Sequence, residues 1–100
     1  MTQPEIWIGT VEIYWANENS PTVFKPAFTV ITTWASNAEE FRDKCIRMLE
    51  SYGWKLIEVD RANPIPENAT FSEEVEDMLE RTSSNPNAII HGTLHNYPVM

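Results

Sequence analysis

The stretch from Ser36 to Gly53 admits one local structure, and it lies between runs that admit another. Its apolar residues Ala38, Phe41, Cys45, Met48, Leu49 and Tyr52 recur at helical spacing, with Arg42, Asp43, Lys44, Arg47 and Glu50 on the other side. Ser36-Asn37-Ala38-Glu39 reads as a capping box, the serine bonding the third helical amide while the glutamate reaches back. Gly53 stands just past the last apolar position, where a left-handed cap is common. Before the helix, Ile6 to Trp15 and Ala27 to Trp34 are dense in β-branched and aromatic residues and read as strands. Trp7, Gly9, Val11, Ile13 and Trp15 share one face of the first. Phe28, Val30, Thr32 and Trp34 share one face of the second, with Ile31 on the other. After the helix, Trp54 to Arg61 is a third strand carrying Leu56, Ile57 and Val59, so a right-handed parallel crossover is expected.

Asn63-Pro64-Ile65-Pro66 then breaks the chain. Thr70-Phe71-Ser72-Glu73 reads as a second capping box, opening a shorter helix with Phe71, Val75, Met78 and Leu79 on one side. Glu73, Glu74, Glu76, Asp77 and Glu80 make the rest of that helix acidic. A last strand spans Ala88 to His95, with Tyr97 and Pro98 just beyond. The element order β-β-α-β-α-β predicts one α+β domain over residues 1–100: a two-layer sandwich, its four-stranded mixed sheet carrying both helices on one face. In its layers this resembles the ferredoxin-like sandwiches, which run β-α-β-β-α-β instead. The connection between the first two strands, Asn17 to Lys25, contains Val23 and Phe24 and is expected to pack down in part.

Several kinds of chemistry are disfavoured. Seven basic against fifteen acidic side chains give a net charge of −8, which repels phosphate backbones, so no nucleic-acid partner is expected. Gly9, Gly53 and Gly92 are the only glycines and are isolated, so no phosphate-cradling loop is present. With Cys45 alone there is no paired-cysteine zinc signature and no intramolecular disulfide; a buried thiol in the first helix is expected. No signal-like opening and no apolar run of about 18 residues occurs, so a cytoplasmic protein without membrane attachment is expected. Asn68-Ala69-Thr70 matches a glycosylation sequon and reads more simply as a loop. No cofactor and no metal are anticipated.

Two candidate surfaces remain. His91 and His95 share a face of a regular strand, but at ~3.3 Å per residue they stand ~13 Å apart, too far for one ion unless the strand bends at Gly92 or ends near Leu94, when Glu58 or Asp60 could join. Ile6, Ile8, Ile31, Ile57 and Tyr14 fall out of phase with the core set, so the second sheet face needs a cover. A loop, a second copy of the chain or another protein could supply it. The preferred reading is a non-catalytic acidic interaction domain of inhibitor, immunity or adaptor type. It would bind a protein through the open sheet face or through Glu74 and Asp77, with a homodimer expected. The alternative is a small-ligand or enzymatic pocket at a homodimer interface, lined by Tyr14, Trp54, His91, His95 and Tyr97.

Overall fold

The computed structural model describes residues 4–15, 26–66 and 68–96; at Trp15, Pro26, His95 and Asn96 the description is of the backbone. The connection expected to pack down, 16–25, lies outside the described residues, as do Tyr97 and Pro98. Strands β1 (Glu5–Trp15) and β2 (Pro26–Ala35) pair antiparallel from Glu5↔Ala35 to Tyr14↔Pro26. Helix α1 (Ala38–Ser51) leads to β3 (Trp54–Pro64), and helix α2 (Glu73–Ser84) leads to β4 (Ile89–His91) and β5 (His95–Asn96). The sheet order is β3-β1-β2-β4, with β5 also on β2.

The α+β class and the element order are as the sequence predicts, and two details of the sheet differ. Every pairing is antiparallel, where a mixed sheet was expected. β2 and β3 do run in the same direction, as a helical crossover requires, but β1 lies between them and no parallel rungs form. Second, the helices lie on opposite faces, which removes the two-layer, ferredoxin-like likeness. Val11, Ile13, Ile31 and Ala35 pack with Phe41, Cys45, Met48 and Leu49 of α1. Thr32, the next residue along an unbroken strand, points the other way. It is fully buried, and its hydroxyl lies 2.8 Å from that of Thr82 in α2. The sheet is therefore sandwiched between one helix on each side, which explains why β2 is apolar or buried on both faces.

Each face has its own close approach. At Gly9 a Cβ would stand 2.6 Å from Phe41 Cζ and 2.5 Å from the Arg61 carbonyl oxygen, so only glycine lets the Phe41 ring lie on β1. Trp7 flanks that ring at 6.3 Å between centroids. On the other face α2 buries only Met78 and Thr82, and polar contacts supplement this packing. Trp34 Nε1 donates to the Thr82 carbonyl at 2.7 Å, and Glu74 Oε1 accepts from the Thr93 amide.

The strand ends and caps show small shifts. Asn37, not Ser36, caps α1, accepting from the Glu40 amide at 2.8 Å, while Glu40 reaches back to the Ser36 amide. Ser72, not Thr70, caps α2. Gly53 has φ 84, the left-handed cap expected. β3 continues through Asn63 and Pro64, because on an edge strand a missing amide is tolerable. Its register with β1 shifts twice, leaving Ile57 and Asp60 as the extra residues. The last strand is likewise interrupted: Gly92, Thr93 and Leu94 oppose only Thr29 and Val30.

Candidate functional site

α2 lies over β2, β4 and the near side of β1, so among the described residues the β1–β3 half of its sheet face carries no helix. Between α2 and that bare half runs a wide-mouthed cleft of about 860 Å³. Its apolar lining comes from Ile6, Trp34, Pro64, Ile65, Phe71 and Leu79. Ile6 and Trp34 are direct cross-strand partners, so their side chains stand together on this face. Ile65 continues the sheet by donating its amide to the Ile6 carbonyl at 3.1 Å. Phe71 precedes the Ser72 cap, and Leu79 lies on the cleft side of α2. The bond from Trp34 to Thr82 fixes the indole beneath the helix.

The rim is acidic. Glu5, from the start of β1, and Glu73, Glu76, Asp77 and Glu80, from α2, surround the apolar lining. Asp77 pairs with Arg81 at 3.1 Å, an exposed i,i+4 bridge of little energetic weight. Spacing sets Glu76 and Glu80 four apart on one helical flank, a like-charge arrangement that helices otherwise avoid. Among the described residues no basic side chain lines the cleft. The surface thus presents apolar area flanked by carboxylates, four from α2 and one from β1.

A second cluster lies on the α1 face. Tyr52, Trp54 and His91 place their rings in mutual contact, with centroids 5.9 to 6.4 Å apart. They come from the end of α1, the start of β3 and the far edge strand. His91 Nδ1 lies 2.9 Å from its neighbour's carbonyl, that of Gly92. The three rings pack against one another.

The residues singled out from the sequence fall in different places. Asp77 is on the cleft rim. Glu74 is held by the Thr93 amide, in the space that a Cβ on Gly92 would fill, so its carboxylate serves the chain's own packing. Trp54 and His91 meet as described, whereas Tyr14 pairs with Lys55 on the opposite face. His95 stands opposite Phe28, out of step with His91 opposite Ile31, because the interruption at Gly92–Leu94 adds one residue. The His95 side chain and Tyr97 lie outside what is described. Among the described residues no group of three or more His, Cys, Asp or Glu side chains could hold a metal ion. Cys45 is fully buried, and burial pushes its thiol up to about 12, so it stays protonated and shielded.

Sequence reasoning missed the contribution of Pro64 and Ile65 to the cleft, and the signal was present. Pro64-Ile65-Pro66 reads as a chain break, yet Ile65 continues a paired edge, and an isoleucine between two prolines at a strand end must pack somewhere. Among the described residues no helix is long and apolar enough to cross a membrane. No protein-family model matches this chain, and no curated protein and no solved structure resembles it at a significant level.

Proposed function

We propose that this chain is a non-catalytic interaction domain that binds a basic protein through the cleft beside α2. The observation that carries this reading is the pairing of an apolar lining with five carboxylates, four of them from α2. A partner with apolar side chains flanked by lysine or arginine would bury its apolar surface and find charge complementarity at once. The net charge of −8 would also speed the encounter with such a partner. A cytoplasmic setting, with Cys45 reduced, suits this reading. The cleft's volume would suit a small ligand, but a mouth this wide would leave most of such a ligand in water. A two-fold dimer through the cleft would bring two acidic rims together, which makes a second copy of the chain the weaker occupant.

The test is affinity capture from lysate, run in parallel with the wild-type chain and with a Glu76→Lys/Glu80→Lys variant. Bound proteins and small molecules are both read by mass spectrometry. A stoichiometric protein should be retained by wild type, released between about 0.1 and 0.5 M salt, and missing from the variant. A protein retained equally by both, or an enriched metabolite alone, would overturn the reading.

A further inference from the structure

The cleft also constrains what shape of partner it can take. We infer that its occupant is a basic amphipathic α-helix, lying beside α2 on the bare β1–β3 half of the sheet; this rests on the interaction reading above. Three observations lead there.

First, the floor offers no main-chain groups. β1 is an interior strand, bonded to β2 on one side and to β3 on the other. An extended segment laid over it would find no free strand to pair with along β1, whereas a helix satisfies its amides and carbonyls internally. Second, the alternative route for an extended partner, addition to the β3 edge, is obstructed. Two register shifts, at Ile57 and at Asp60, interrupt β3, and Lys55, Glu58, Asp60 and Arg61 place charge along it. Third, the apolar contacts sit on two walls. Ile6 and Ile65 belong to the sheet, and Phe71 and Leu79 belong to the helix layer. A helix placed there would touch both walls with one apolar stripe and complete a two-helix layer on this face. Its flanking lysines or arginines would meet Glu5 on one side and Glu73, Glu76 and Glu80 on the other.

The test uses three synthetic peptides of about 18 residues, roughly five helical turns. One places leucine at i, i+3, i+4 and i+7 with lysine elsewhere. The second has the same composition in strict alternation. The third replaces the lysines of the first by glutamate. Binding to the full chain is followed by backbone chemical shifts and by peptide circular dichroism.

The helical-period lysine peptide should bind at least about tenfold tighter than the alternating one, gain helicity, and shift Ile6, Ile65 and Leu79. Glu76→Lys/Glu80→Lys should remove that binding while leaving the spectrum of the free chain folded. Equal or tighter binding of the alternating peptide in the same cleft would overturn the helical assignment and leave the interaction reading standing. Shifts spread over acidic positions but missing from Ile6, Ile65 and Leu79, or equal binding of the glutamate peptide, would overturn both.

Discussion

Cys45 has no exposed surface, and its thiol is pushed from 9.0 up to about 12 by loss of water around the charged form. The folded pKa is therefore the higher one. Below pH 9 both states hold the proton and the group does not affect stability. Above it the unfolded chain releases the proton while the folded chain keeps it, so stability falls as pH rises towards 12. The slope from this one group approaches about 1.4 kcal/mol per pH unit. The difference between wild type and Cys45→Ala isolates the contribution of this thiol. Urea unfolding at pH 8.0 and pH 10.5 should show the variant losing less stability than wild type, by about 1–2 kcal/mol. Equal losses would mean that the thiol is not desolvated as described. The burial of Cys45 was legible from helical spacing alone. The positions of His91 and His95 were not, because one extra residue at Gly92–Leu94 undoes the alternation on which any strand reading rests.

At the scale of elements, α2 is held by a thin apolar contact and a few polar ones. The Thr82 hydroxyl donates to the Met78 carbonyl at 2.7 Å, so in the 2.8 Å contact between hydroxyls the donor is Thr32. Thr82→Val would leave the buried Thr32 hydroxyl without its acceptor, at a cost of about 1–3 kcal/mol. Replacing both threonines by valine removes donor and acceptor together and should cost less than the two single changes added. A double-mutant cycle in urea should give a coupling of about 1 kcal/mol, with faster amide exchange in α2 for the single variant. Additive costs would show that the contact carries no energy. The periodicity of α2 was readable in Val75, Met78 and Leu79, but periodicity names a stripe and not the face that receives it. What pointed to the second face was β2, where Ile31 and Thr32 are adjacent and both required cover. The shifts at Ile57 and Asp60 left no mark in the sequence, since each extra residue is one that a regular strand could also hold. The cleft was legible only in part: Ile6, the acids of α2 and the apolar stripe with Phe71 and Leu79 stood out, while Ile65 reads as part of a chain break.

For the whole molecule, the acidic surface carries an internal cost that a purely structural helix would shed. Fifteen acidic side chains against seven basic ones repel one another in the compact state. Four carboxylates of α2 are concentrated on the cleft rim. Glu73 and Glu76, in the first turn, are favoured by the helix dipole. Glu80 is not, since it lies towards the other end and four residues from Glu76. Glu80→Lys would turn that repulsion into a well-oriented i,i+4 pair and place a cation where the dipole favours one. The free chain should gain about 0.3–1 kcal/mol, read as a higher urea midpoint with an unchanged slope. The same change should weaken the helical lysine peptide several-fold, an effect that shrinks as salt screens the rim. Opposite signs for stability and binding are what a surface kept for a partner requires. A variant that lost stability would show that the carboxylate at Glu80 serves the fold, and one that gained it without any effect on binding would show that it does not serve the cleft.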